Sequence, residues 1–155
     1  SETSMISIII AEAFETLVDA DLLEKAAQAV LDIEAADSSN EISIAIDGDD
    51  EIQTLNQQFL GVDAPTDVLS FPSDETNPET GAPYLGDIMI SYPRAKQQAE
   101  NATETIEDEL QLLVVHGMLH LLGYDHAEPD EKAEMWAAQQ KALNHLGCRI
   151  TRLPE

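Results

Sequence analysis

The chain has 155 residues, with 43% hydrophobic residues, 25% charged residues and one cysteine, which excludes a disordered chain, a collagen and a disulfide scaffold. No apolar run approaches the roughly 18 residues of a membrane helix, and residues 1–11 lack the features of a signal peptide. Seven basic residues against 31 acidic ones give a net charge of −24, which argues against phosphate backbones as partners at moderate salt. We therefore expect one cytoplasmic domain over residues 1–155, with either an ordinary solvated acidic surface or one adapted to a salt-rich cytoplasm.

Hydrophobic spacing predicts the secondary structure along the chain. The predicted strands cover residues 5–11, 41–47, 68–71 and 85–91. The predicted helices cover residues 17–36, 47–59, 91–101, 105–122 and 130–146. The order β-α-β-α-β-β-α-α-α shows neither a repeat nor strict strand–helix alternation. This pattern predicts an α+β fold, with a small mixed β-sheet packed against about five helices.

Capping residues mark the ends of the later helices. Ser91 and Thr105 are suitable N-caps, and Gly123 is a suitable stop for the helix that Thr105 begins. Residues 110–122 are apolar nearly all round, so this helix is expected to be the buried centre of the fold. The last helix is expected to turn a set of side chains inward, namely Ala133, Trp136, Ala137 and Leu143.

Three histidines are clustered in and just after the central helix. His116 and His120 are four residues apart and therefore share one helix face. Gly123 allows the chain to turn back and bring His126 to the same point. Three neutral imidazoles supply the protein ligands of a catalytic zinc site and leave a fourth position for water. The spacing predicts one Zn²⁺ per chain on His116, His120 and His126.

The same histidine spacing occurs in metzincin proteases, which carry a glutamate directly after the first histidine as general base. Gly117 occupies that position here and has no side chain to accept a proton, which disfavours a peptidase. Asp125 is a candidate catalytic residue, because it stands beside a predicted ligand and could accept a proton or orient a histidine. An ordinary turn residue before His126 is an equally good interpretation of Asp125.

The stretch HGMLHLLGYDH at residues 116–126 resembles the signature of the YbeY family of bacterial zinc-dependent endoribonucleases and rRNA maturation factors. Two further stretches match that family, PTDVLSFP at residues 65–72 and LGDIMIS at residues 85–91. The resemblance implies a zincin-like fold, zinc on the three histidines and cleavage of single-stranded RNA. It also implies roles in maturation of the small-subunit rRNA 3′ end and in ribosome quality control.

One position departs from the family pattern. Many members carry an arginine three residues before the aspartate that precedes Pro-Thr, and here Leu60 stands in its place. A guanidinium would bind phosphate and stabilise transition-state charge, whereas leucine does neither. Either Arg94 or Lys96 substitutes from elsewhere in the chain, or activity is weak, or the protein relies on a ribosomal partner.

Polar residues of the PTDVLSFP stretch are candidates for binding substrate beside the metal. Thr66, Asp67 and Ser70 are expected on a short strand and turn, where ordinary turn chemistry explains them equally well.

Three functions are compatible with these residues. The first is a zinc-dependent endoribonuclease that acts on single-stranded RNA in rRNA processing. The second is a non-catalytic ribosome-assembly factor that binds rRNA or a small-subunit ribosomal protein, which Leu60 and the acidic surface favour. The third is a metallopeptidase-like hydrolase, which Gly117 disfavours.

Overall fold

The computed structural model describes residues 5–34, 36, 40–76, 78–79, 81–125, 127–148 and 150. The strands are β1 (Met5–Ile10), β2 (Glu41–Asp47), β3 (Val68–Pro72) and β4 (Tyr84–Ser91). The helices are α1 (Ala20–Ile33), α2 (Asp49–Leu60), α3 (Tyr92–Ala102), α4 (Ile106–Leu121) and α5 (Pro129–Leu146), with a 3₁₀ turn at Glu12–Phe14. The predicted α+β architecture, with its mixed sheet and five helices, is confirmed.

The four strands form one sheet in the order β1-β2-β4-β3. Strands β1, β2 and β4 are parallel to one another, and β3 runs antiparallel to β4 at the edge of the sheet. Along β2, side chains alternate strictly between buried and half-buried. The buried isoleucines Ile42, Ile44 and Ile46 join the apolar core beneath the helices. One face of the sheet is thereby fixed against the helical layer.

Helix α4 is the centre of that layer, as predicted. The Thr105 hydroxyl accepts a hydrogen bond from the Asp108 N–H at 3.1 Å, which caps the helix. Every residue from Glu109 to Leu119 is buried, because the helix packs against α1, α3, α5 and the two strands β3 and β4. A side chain on α4 therefore keeps a fixed position relative to the sheet and to α5.

Two predictions about helices were wrong. Helix α1 spans Ala20–Ile33 rather than residues 17–36, and it begins at Ala20 because the Asp19 carboxylate accepts from the Asp21 N–H at 3.0 Å and acts as N-cap. In α5, Ala133, Trp136 and Ala137 are exposed, and Trp136 keeps 43% of its surface. The buried stripe of α5 instead consists of Met135, Ala138, Gln139, Ala142 and Leu143. Alanines occur on both faces of this helix, so its pattern does not fix its rotation.

Gly86 lets β3 and β4 approach closely at the end of the hairpin. Its φ is +146°, and a Cβ there would lie 2.4 Å from the Phe71 carbonyl oxygen and 2.8 Å from Cδ2 of Leu121. Only glycine fits such a contact with backbone. The close approach holds the edge strand β3 against the carboxyl end of α4.

None of the helices in the described part of the chain combines the length and the apolar character that crossing a membrane requires.

Candidate metal centre

His116 and His120 lie side by side on α4, at the floor of an open cleft of about 440 Å³. Their Nε2 atoms are 3.1 Å apart, and the two rings meet edge to face with centroids 4.6 Å apart. His116 is only 4% exposed, while His120 is half-buried. The structure therefore brings together two of the three predicted ligands, whereas His126 lies outside the described residues.

The other ring nitrogen of each histidine faces an oxygen. Nδ1 of His120 is 2.9 Å from the Tyr124 carbonyl oxygen, and Nδ1 of His116 is 3.4 Å from Oε1 of Gln139. A neutral ring that carries its proton on Nδ1 can donate to such an oxygen and presents a lone pair at Nε2. This is the arrangement that oxygen partners impose on metal-binding histidines.

The donor set fits a divalent metal ion. In that tautomer the two Nε2 atoms, 3.1 Å apart, would both present lone pairs to one metal ion. Two nitrogen ligands of one tetrahedral zinc lie about 3.3 Å apart, which is close to the observed separation. Among the described residues, no third His, Cys, Asp or Glu completes a metal-binding group with this pair.

Gln139 contacts the site and was not predicted from the sequence. It is fully buried on the α5 stripe that packs on α4. A glutamine at a buried helix position needs a polar partner, and the His116 ring is one. The helical spacing of Met135, Gln139 and Ala142 places the three residues on one face of α5. The predicted inward face was a different one, so it did not include Gln139.

The turn after α4 carries the second oxygen partner. Gly123 adopts a φ of +102°, and its N–H donates to the His120 carbonyl at 3.0 Å. The turn places the Tyr124 carbonyl against the His120 ring. The Tyr124 hydroxyl donates to Oε1 of Glu34 at 2.7 Å, and this bond raises the pKa of Tyr124 to about 12. The turn is thereby tied to the end of α1.

Asp125 is exposed and lines the cleft. Its place on the same cleft as the two histidines is compatible with the predicted role as proton acceptor. That role stays a prediction.

The opposite wall of the cleft comes from β3 and the end of α2. It is formed by Leu60, Val68, Leu69, Ser70 and Pro72. Of the four residues predicted to bind substrate, only Ser70 is among the described residues that line the cleft. Its hydroxyl donates a hydrogen bond to the Gly117 carbonyl at 3.3 Å. Leu60 is 59% exposed, so the position where an arginine was expected does face the cleft.

Gly117 is where α4 touches the sheet. A Cβ at this position would lie 3.0 Å from Cγ2 and 3.2 Å from Cδ1 of Ile88, and 3.2 Å from Oγ of Ser70. These separations are shorter than ordinary van der Waals contacts. Any side chain at this position, including the glutamate of a metzincin, would therefore force these neighbours to shift.

The remaining predicted substrate-binding residues are not among those lining the cleft. Thr66 is half-buried, and its hydroxyl is 3.4 Å from Oδ1 of Asp67. Arg94 pairs with Asp49 at 3.5 Å, at the start of α2. A role for either toward a substrate stays a prediction.

Asp67 is buried in a polar network rather than presented to solvent. It is 4% exposed, and its neighbour Glu109 is fully buried. Its carboxylate accepts from the Val68 N–H at 2.8 Å. The side-chain amide nitrogen of Gln98 faces both carboxylates. In this orientation it donates to Oε2 of Glu109 at 2.8 Å and to Oδ2 of Asp67 at 3.3 Å. Burial raises the pKa of Asp67 above its usual 3.8, although these hydrogen bonds act in the opposite direction.

Replacing Asp67 by asparagine should change how stability depends on pH. Because the folded state holds this proton more tightly than the unfolded chain, the parent loses stability as pH rises from about 4 through the raised folded pKa. The Asp67→Asn variant lacks this loss. Its free energy of unfolding, measured with urea between pH 4 and 7, should therefore improve relative to the parent as pH rises.

An Asp74→Asn variant is the control, because it removes one exposed negative charge from the same chain. It measures the general benefit of lowering the net charge of −24. If the free energy of unfolding of Asp67→Asn, relative to the parent, rises between pH 4 and 7 by no more than that of the control, a raised pKa for Asp67 is contradicted.

The chain is similar in sequence to known proteins over most of its length. The family model described as endoribonuclease YbeY matches residues 9–147. An endoribonuclease YbeY of Dehalococcoides mccartyi strain CBDB1 is 42% identical over 153 residues, which cover 91% of this chain and 92% of the relative. One of Chloroflexus aggregans is 48% identical over 136 residues, covering 84% and 89% respectively.

A solved structure has the same fold. The solution structure of TM1509 from Thermotoga maritima superposes with a TM-score of 0.59 at 28% identity, covering 95% of each chain. This similarity supports the strand order and helix packing described above.

Proposed function

Since the chain belongs to the endoribonuclease YbeY family, we propose that it is a zinc-dependent endoribonuclease that cuts single-stranded RNA. We further propose that it acts in the cytoplasm, in maturation of the small-subunit rRNA 3′ end and in ribosome quality control. The observation that carries the proposal is the pair of Nε2 atoms, 3.1 Å apart at the floor of an open cleft.

The residues of the chain prepare this site for a metal ion and a substrate. His116, His120 and, in this proposal, His126 hold zinc, and Gln139 and the Tyr124 carbonyl keep two of the rings in the ligand tautomer. A bound zinc ion supplies a Lewis acid for the phosphoryl group and lowers the pKa of water. Asp125, exposed at the cleft wall, is the candidate for accepting a proton.

Removing the metal tests this function. The purified chain is expected to cut a labelled single-stranded oligoribonucleotide and to leave its duplex intact. Treatment with a chelator should abolish cleavage, and added zinc should restore it. The duplex arm tests strand preference, because the cleft of about 440 Å³ takes an extended strand more readily than a helix.

His120→Ala should lower both the zinc bound per chain and cleavage, the latter by about a hundredfold or more. His145→Ala is the matched control, because His145 is an exposed histidine at the end of α5. It should keep both properties. Cleavage that survives His120→Ala or chelation would mean a contaminating nuclease and would overturn the proposal.

A non-catalytic ribosome-assembly factor is the second candidate. Leu60 in the cleft supplies no phosphate-binding cation, and a net charge of −24 suits a basic ribosomal protein as partner. Stable association with the small ribosomal subunit, together with no metal-dependent cleavage by the parent, would select this function instead.

A further inference from the structure

Three exposed apolar residues form a rim beside the cleft at the end of α2. Phe59, Leu60 and Val62 keep 64%, 59% and 48% of their surfaces exposed, and Phe59 is the most exposed of the large apolar side chains in the described part of the chain. Leu60 belongs to both the rim and the cleft wall. The rim is therefore continuous with the site that holds the two histidines.

The ring of Phe59 is oriented although it is exposed. It packs against the ring of Phe71 with centroids 5.3 Å apart and an interplanar angle of 58°. Phe71 lies in β3 between Ser70 and Pro72, which both line the cleft. A stacking partner for Phe59 would meet a ring whose position is fixed, so little conformational entropy would be lost on binding.

The rim is also free of charge on a strongly acidic chain. Residues 52–62 contain no Asp, Glu, Lys or Arg, and neither do residues 68–73, which form the facing wall. Among the described residues lining the cleft, Asp125 is the only aspartate, glutamate, lysine or arginine. A polyanion is repelled by most of this molecule, so it meets the least repulsion here.

We propose that the rim of Phe59, Leu60 and Val62 is a docking site for a nucleobase of single-stranded RNA, so that beside the metal centre the substrate is held by base stacking rather than by contacts of lysine or arginine with phosphate. This inference rests on the proposed function and identifies how that site takes its substrate. Bases of unpaired strands stack on exposed aromatic rings with little sequence preference. Bases also carry no charge, so their binding to the rim does not depend on lysine or arginine side chains, which are absent from the described residues lining the cleft.

Binding of a 2′-O-methylated oligomer, checked by gel electrophoresis to remain uncut, tests the inference separately from catalysis. The probe is a 2′-O-methyl oligoribonucleotide carrying one 2-aminopurine, titrated with the parent chain from 0.05 to 1 M KCl. The fluorescence of 2-aminopurine should be quenched on binding, and the logarithm of the affinity should stay flat or rise with salt. Phosphate contacts would instead give a slope of about −0.7 per contact.

Phe59→Ala should weaken binding about tenfold and abolish most of the quenching. Trp136→Ala removes an exposed aromatic ring on α5, outside the residues that line the cleft, and should leave the affinity unchanged. Val62→Ser gives a second, milder variant of the rim, with an expected loss of two- to threefold. An abasic oligomer with the same backbone should not bind.

Several results would overturn the inference. These are a steep negative salt slope, equal binding of the abasic oligomer, an unchanged affinity in Phe59→Ala, or no binding by the parent. A Phe59→Ala variant that loses self-association but not oligomer binding would assign the rim to contact between copies of the chain. The RNA cleavage assay uses a different substrate and a different readout. The proposal of metal-dependent cleavage would therefore remain valid after any of these results.

Discussion

Gly117→Glu is expected to abolish the folded metal site rather than to create a peptidase. The new side chain would start 3.0 Å from Cγ2 of Ile88, a fully buried residue of β4. Burying a carboxylate there without a partner, in addition to the overlap, should cost more than about 4 kcal/mol. We expect loss of the cooperative thermal transition, loss of zinc binding and no turnover of a peptide library.

A milder substitution separates the overlap from the charge. Gly117→Ala should lower the free energy of unfolding by up to about 2 kcal/mol, because overpacking outweighs the better helix propensity of alanine. In an Ile88→Val background, which removes the Cδ1 atom 3.2 Å from that position, the same substitution should cost less. Additive losses in this double-mutant cycle, or a stable Gly117→Glu chain that hydrolyses peptides, would contradict the packing argument.

This packing explains why the chain can share histidine spacing with metzincins and still differ from them in chemistry. The contact between Gly117 and Ile88 places α4 directly on β4, and Ser70 donates to the Gly117 carbonyl at the same point. The position of the general base in metzincins is thus occupied by the sheet. A proton acceptor would have to come from elsewhere in the site, and the predicted candidate is Asp125, which lines the cleft.

The features that the sequence predicted are those set by local patterns. Strict alternation predicted β2 with its observed bounds, and the Thr105 cap with the stop at Gly123 predicted α4 to within one residue. The four-residue spacing of His116 and His120 predicted that their rings would meet. Each of these follows from chain geometry over a few residues.

The features that the sequence did not predict depend on contacts between distant segments. The rotation of α5 is fixed by packing on α4, and with it the contact of Gln139 with His116 across 23 positions of the chain. Asp67 was a candidate for lining the cleft as a polar residue of the PTDVLSFP stretch, yet its carboxylate faces Gln98 in a buried network with Glu109. No local pattern distinguishes a polar residue that faces a cleft from one that completes a buried network.

Leu60→Arg is expected to raise single-turnover cleavage of single-stranded RNA about tenfold at low salt. Leu60 is exposed and lines the cleft that holds the two histidine rings. A guanidinium there would bind a phosphate of the substrate and stabilise charge that develops during cleavage. The measurement is the rate with enzyme in excess, at 0.05 and at 1 M KCl, where screening should remove most of the gain.

Leu17→Arg is the matched control, because Leu17 is 54% exposed and is not among the residues lining the cleft. It makes the same change in net charge and should leave the rate within about twofold of the parent, since a remote charge only alters long-range attraction. An equal gain in both variants would mean that net charge, rather than a phosphate contact in the cleft, limits the reaction. A Leu60→Arg chain that binds zinc and RNA but does not cut would instead favour the assembly factor, because the missing cation would then not be what prevents catalysis.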